Sequence, residues 1–217
     1  MSEKKQKIAR RVAQELEDGE LVNLGIGLPT LVANYIPEDI DITLHSENGF
    51  VGLGPTPPEG EEDEDLINAG GEPVTINPGG AFFDSATSFA IIRGGHLDTT
   101  VLGTLQVDGK GNLANWKIPD KMVPGMGGAM DLTTGARKVI VATTHTTRRG
   151  DPKVVKTCDL PLTAEGEVDL IVTELAVFSV EDEGLLLLEK AEDADLETIK
   201  EKTAADFEVI SDLKIFA

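Results

Sequence analysis

The stretch Ile40-Asp41-Ile42-Thr43-Leu44-His45-Ser46-Glu47-Asn48-Gly49-Phe50 decides how this chain is read. Ile40, Ile42 and Leu44 alternate with Asp41, Thr43 and His45, the two-residue period of a half-buried strand. Immediately afterwards Gly49, Gly52 and Gly54, then Pro55, Pro57 and Pro58, interrupt any regular element. Glu47 therefore stands near the carboxyl end of a strand, where the chain opens into a glycine-rich loop. In open α/β sheets ligands bind along that edge. A single glutamate is more often a solvated surface charge, so the strand-end position is what singles Glu47 out.

Working outward, the segments alternate between strand and helix patterns. Residues 4–18 predict a helix with Ile8, Val12 and Leu16 on one face and Gly19 as its stop. Leu21–Leu24 reads as a short strand and Gly25-Ile26-Gly27-Leu28 as a loop. Pro29 then opens a helix to about Tyr35. Residues 51–72 read as a loop, and its acidic run Glu59-Gly60-Glu61-Glu62-Asp63-Glu64-Asp65 as a solvated surface segment. Val74–Ile76 is a strand and Asn77-Pro78-Gly79-Gly80 a turn. Asp84 is placed to cap a helix that runs to Arg93 and stops at Gly94-Gly95. Thr99–Val107 is strand-like, and Asp108–Asn112 carries turn residues. Further strands are expected at 138–142, 153–156 and 168–173. A hairpin pairs 176–180 with 185–189, a last helix covers 196–204, and a strand starts at Phe207. Strands alternating with short helices define an α/β fold, and 217 residues suit a single domain over 1–217.

Composition narrows the function classes. The formal net charge is −20, which makes nucleic acid and acidic membrane surfaces poor partners. No apolar run approaches the roughly 18–20 residues of a membrane span. The amino terminus lacks the apolar core of a secretory signal. Cys158 is the only cysteine, so no intrachain disulfide forms and a thiolate-rich zinc site is excluded. His45, His96 and His145 are too dispersed for a metal site, and each reads as structural. These features together predict a cytoplasmic protein with no bound metal.

Ser46-Glu47-Asn48-Gly49, followed by apolar and glycine residues, resembles the active-site motif of the β subunits of the 3-oxoacid CoA-transferases. The resemblance extends to Val22–Pro29, Gly94–Asp98, Val101–Gly103, Leu105–Asp108 and Lys121–Asp131 in the same order, and runs from about Lys5 to the end. It implies an open, mostly parallel sheet flanked by helices with a small added β part, an architecture shared with sugar-phosphate isomerases. It also implies that Glu47 carries CoA as a thioester. Coenzyme A is then a substrate and covalent intermediate, and no tightly bound cofactor is expected. Gly128, in Gly125-Met126-Gly127-Gly128-Ala129-Met130, matches the glycine whose N–H joins the oxyanion hole. Asn23, Gly25 and Gly27 match a ligand-facing turn, with Asn23 near the pantetheine or the glutamate. Asn48 is expected to shape the Glu47 loop, and Gly52 and Gly54 to permit close approach of CoA. The second oxyanion donor, a glutamine, belongs to an α half with no counterpart here. The expected partner is therefore an α subunit, in an assembly of αβ pairs, acting on acyl-CoA and short-chain carboxylic acids.

The chemistry suits these residues. A carboxylate with a reference pKa near ~4.3 is ionised at neutral pH. It can attack a thioester without a general base, and a thiolate leaves without a general acid. The implied reaction moves CoA from succinyl-CoA or acetyl-CoA to a 3-oxoacid such as acetoacetate. 3-Oxoadipate or butyrate–acetoacetate transfer fits equally, since the acyl pocket is shared with the α half. A non-catalytic ligand-binding protein on the same fold would be free to lose Glu47. A sugar-phosphate isomerase would want a base and basic phosphate ligands, which the Ser-Glu-Asn-Gly context does not supply. Arg148-Arg149 reads as a surface pair.

Overall fold

The computed structural model describes residues 2–120, 123, 125 and 127–217. Thirteen strands and four α-helices are found among them. Ten strands form one sheet in the order β13-β12-β11-β10-β8-β5-β1-β2-β3-β4. The centre consists of β10 (Leu170–Val172), β8 (Lys138–Ala142), β5 (Thr99–Leu102), β1 (Leu21–Leu24) and β2 (Thr43–Ser46), all mutually parallel. Their near-continuous apolar sequences follow from burial on both faces: Val101, Val139, Ile140, Val141, Ile171 and Val172 are all buried. Antiparallel strands flank this core. β3 (Phe50–Leu53) and β4 (Ile76–Phe82) lie on one side, and β11 (Ala176–Glu181) and β12 (Gly184–Ala191) on the other. β13 (Phe207–Phe216) closes that end parallel to β12. A second sheet of three short strands, β7-β6-β9, joins Leu113–Ala114, Gln106–Asp108 and Val154–Val155. The expected open, mostly parallel sheet with a small added β part is thus what forms.

Helix α1 (Glu3–Ala13) packs Ile8, Ala9 and Val12 into the core. It is shorter than the 4–18 periodicity predicts. After Ala13 the chain tightens into i−3 bonds, Glu15 N–H to Val12 O and Leu16 N–H to Ala13 O, which still bury Leu16. Arg11, on the same helix, is 6% exposed and held between Glu189 and Glu15. Pro29–Tyr35 forms a 3₁₀ helix rather than an α-helix. Helix α2 (Ser85–Arg93) is capped as expected, the Asp84 carboxylate accepting from Thr87 N–H. Helix α3 (Ala129–Gly135) begins directly after Gly128. Gly135 packs so closely on Ile92 that a Cβ there would collide with the Ile92 carbonyl. Helix α4 (Leu196–Lys202) is capped by Asp195.

Three expectations fail, the first two because sheet pairing overrides local turn chemistry and the third because one strand-like run is broken at Gly103–Leu105. Phe50–Leu53 pairs as β3 instead of opening a loop. Asn77-Pro78-Gly79-Gly80 is extended within β4, and Pro78 is tolerated because β4 is an edge strand. Thr99–Val107 splits between two sheets. The direction of travel across the sheet reverses at β1, with β2 on one side and β5 on the other. The carboxyl ends of β1, β2 and β5 therefore border a crevice. No helix among the described residues is long and apolar enough to cross a membrane.

Candidate active site

Glu47 occupies the first position of a three-residue turn, Glu47-Asn48-Gly49, that joins β2 to β3. Ser46 pairs with Phe50, and Gly49 N–H donates to Ser46 O at 3.0 Å. Gly49 has φ +136°, and a Cβ there would strike the Phe83 carbonyl, so glycine is required. The turn is clamped on its far side by Phe83 N–H to Gly49 O, 2.9 Å. Glu47 is thus carried by a rigid hairpin tip at the carboxyl edge of the sheet, half-buried rather than waving in solvent.

Two other predicted residues converge on it. The buried Asn23 amide, on β1, donates from Nδ2 to Glu47 Oε2 at 3.1 Å. The same nitrogen lies 3.2 Å from His45 O and 3.4 Å from His45 Nδ1. Gly128 arrives from the opposite side at the start of α3. A Cβ on it would sit 3.3 Å from Glu47 Cγ and 3.4 Å from Phe89 Cζ, tight against both. The space beside the glutamate exists because residue 128 has no side chain. Of the glycine-rich motif around it, Lys121, Met122, Pro124 and Met126 lie outside the described residues.

Beside Glu47 lies a cleft of about 340 Å³. Leu24, Ile26, Leu31, Leu44, Leu53 and Val74 give it apolar walls, and Ser46, Thr30, Asn34, Asn68 and Glu72 add polar groups. One of its walls comes from the long segment between β3 and β4. The base of that segment is closed by Gly54 N–H to Thr75 O (2.8 Å) and Thr75 N–H to Pro55 O (3.0 Å). Its middle is pinned to the Glu47 turn, with Asn48 Nδ2 donating to Ile67 O at 2.8 Å and Ala69 N–H to Ser46 Oγ at 3.2 Å. Ser46 Oγ also donates to Asn48 Oδ1 at 2.6 Å. A loop of this length tied down at both base and middle is typical of a binding loop. Its acidic run, 59–65, is exposed throughout and takes no part in these contacts.

The remaining predicted residues sit around this centre. Gly25 follows β1 and packs on β5, its N–H donating to Val101 O at 2.8 Å; a Cβ would lie 3.0 Å from Leu102 Cδ2. Gly27 (φ +91°) turns the chain with nothing within 4 Å of a notional Cβ. Gly52 (φ +85°) sits where the β3–β4 register shifts, and a Cβ there would lie 2.7 Å from Gly80 Cα, so the close approach of these two strands requires glycine. Gly54 is part of the cleft lining, crossed closely by Thr75 and Asn77. Two further contacts have no counterpart in the sequence pattern. His45, expected to be structural, touches Asn23, and Ser88 on α2 touches His45 at 3.0 Å. Burial pushes the His45 imidazole down to about 4, so it is neutral. His45 is 43 residues from Ser88, and nothing local in the sequence signals the pairing. No group of three or more metal-ligating side chains converges among the described residues.

This geometry can support acyl transfer by a carboxylate: the Glu47 carboxylate is anchored, the backbone beside it is unobstructed and the adjoining cleft has apolar walls. Comparison with known proteins gives the same class. Residues 5–201 match the coenzyme A transferase family, and the chain belongs to that family. It is 61% identical over 209 residues to the beta subunit of the Escherichia coli acetate CoA-transferase, covering 96% of this chain and 95% of that one. It is 53% identical over 202 residues to one of the subunits of the Helicobacter pylori succinyl-CoA:3-ketoacid coenzyme A transferase, covering 93% and 97%. Among solved structures it resembles an Escherichia coli acyl-CoA transferase in a thioester complex with CoA, with a TM-score of 0.78 and 25% identity. All of this chain aligns, yet it spans only 44% of that one.

Proposed function

We propose that this chain is the β subunit of a two-subunit CoA-transferase that moves CoA between a short-chain acyl-CoA, such as acetyl-CoA or succinyl-CoA, and a 3-oxoacid such as acetoacetate. The observation that carries the reading is the Glu47 carboxylate on its hairpin tip, anchored by Asn23 on one side, flanked by Gly128 on the other and bordering the cleft. In the first step a Glu47 oxygen adds to the thioester carbonyl of acyl-CoA, and the CoA thiolate leaves to give an acyl-glutamyl anhydride. The thiolate then adds to the glutamyl carbonyl and releases the first acid, leaving CoA on Glu47 as a thioester. The second acid takes CoA by the reverse steps, a ping-pong sequence. Each addition places negative charge on a carbonyl oxygen. The peptide N–H of Gly128 is the assigned donor to it from this chain.

The relatives named as single subunits of their transferases support an α partner, and the longer solved transferase is consistent with a second half. The partner supplies the remaining oxyanion donor and part of the acyl pocket. Coenzyme A is substrate and transient covalent group here, not a resident cofactor. The test is incubation of the reconstituted pair with acyl-CoA and no acceptor. The peptide containing Glu47 gains the mass of CoA, and Glu47→Ala abolishes both adduct and turnover. An active Glu47→Ala enzyme removes the glutamate from the mechanism.

A further inference from the structure

The glutamate's anchor is itself anchored. Asn23 Nδ2 carries two protons and faces three acceptors: Glu47 Oε2, His45 O and His45 Nδ1. The opposite amide orientation would aim Oδ1 at a carboxylate and a carbonyl, so this one is enforced. Because Nδ2 only donates, His45 Nδ1 has to present its lone pair. A neutral imidazole then carries its proton on Nε2, which lies 3.0 Å from Ser88 Oγ and donates to it. Asn23, His45 and Ser88 are 1%, 3% and 0% exposed, so water does not compete for these bonds. The ring of His45 is further fixed by near-parallel packing on Phe83, centroids 6.3 Å apart. The chain of contacts runs from α2, through β2, to β1 and back to the hairpin tip.

We propose that His45 and Ser88 are positioning residues for Glu47. The Asn23 amide, oriented by Glu47 and the His45 carbonyl, holds one oxygen of Glu47 so that the other is free to attack; its Nδ2 keeps His45 Nδ1 in the acceptor form, and Ser88 accepts from Nε2 and holds the imidazole in that place. The inference rests on the reading of Glu47 as nucleophile. Removing the Ser88 hydroxyl leaves the buried Nε2–H without its acceptor, and a ring that moves to recover one disturbs the Asn23 amide that holds Glu47.

Two measurements on the reconstituted pair test this, with ¹⁵N-labelled histidine. The ¹⁵N shifts of His45 report the tautomer and its hydrogen bonds: Nε2–H in the unsubstituted enzyme, with the Nε2 resonance moving in Ser88→Ala as its acceptor is lost. Single-turnover mass spectrometry reports the rate of CoA adduct formation on Glu47. In Ser88→Ala that rate and kcat fall together by about 10²-fold, the scale of a misplaced reacting group, while KM stays within the error of the unsubstituted enzyme. His45→Leu behaves like Ser88→Ala. His45→Asn, whose amide oxygen can take the place of Nδ1 as acceptor, recovers part of the rate. An Nδ1–H tautomer in the unsubstituted enzyme, or a normal adduct rate in Ser88→Ala, overturns the relay. Absence of any adduct on the unsubstituted enzyme is a separate failure, that of the nucleophile reading.

Discussion

At the scale of single residues, the candidate site depends on what is missing at position 128. A valine there places its Cβ 3.3 Å from Glu47 Cγ and adds two methyl groups beyond it. Gly128→Val is expected to lower kcat by on the order of 10²–10³, the loss typical of one oxyanion donor, while the unfolding midpoint moves little. A near-normal kcat would place the donor elsewhere. Glu47→Asp keeps the charge but retracts it by one methylene from Asn23 and from the reacting carbonyl, so most activity goes with it. A second prediction concerns protons. Burial drives His45 and His145 down to about 4 from their ordinary 6.5. The unfolded chain therefore binds protons first as pH falls, and the stability present above pH 6.5 is lost progressively toward 4. Between about pH 6.5 and 5, above most carboxylate titration, each histidine costs about 2 kcal/mol. His145 is completely buried between Thr173 and Thr203 hydroxyls, both at 2.9 Å. Urea midpoints should fall over this interval, and flat midpoints would mean that the two imidazoles titrate normally in the folded state.

At the scale of elements, legibility in the sequence followed how local the cause was. Caps were readable, as Asp84 of α2 shows, because one side chain and the N–H three residues later decide them. The strand-end position of Glu47 was readable from the period-2 run before it. β3 and β4 were not, since Gly52, Pro78, Gly79 and Gly80 look like turn residues until an edge pairing absorbs them. The Asn23–Glu47 contact was legible only through family resemblance, and the His45–Ser88 contact not at all. The first is created by the pairing of β1 with β2 and the second by the placement of α2 against β2, neither of which a local pattern encodes. The packing of α2 on α3 is another such non-local feature. Gly135 lies directly against the Ile92 carbonyl, and Arg93 and Asp131 bridge the same two helices at 2.5 Å. Gly135→Ala is expected to force the helices apart and cost about 1–3 kcal/mol. Because α3 begins at Gly128, kcat should drop with it. A stable, fully active Gly135→Ala enzyme would show that α3 can shift without disturbing the glutamate.

At the scale of the molecule, the proposed site is open where a second chain would complete it. Ile26, on the loop after β1, is 66% exposed, Phe82 on the edge strand β4 is 64% exposed and Val123 is 62% exposed. Of these, Ile26 also lines the cleft, so exposed apolar surface reaches the site. Charge argues in the same direction. A chain of net charge −20 repels the phosphates of CoA, whereas an interface with a complementary chain would hold an anionic substrate more easily. The prediction is that this chain folds but does not turn over alone. Purified by itself and given acetoacetate with succinyl-CoA or acetyl-CoA, it should form no acetoacetyl-CoA, and its Glu47 peptide should remain unmodified. Adding the α chain should restore both turnover and the adduct, with activity saturating at one α per β. Hydrophobic side chains left open in the lone chain favour self-association, so its oligomeric state should change when the partner is added. Full turnover by the isolated chain would refute the two-subunit reading. The whole oxyanion hole would then have to be sought within these residues, with Gly128 and its neighbours the first positions to examine.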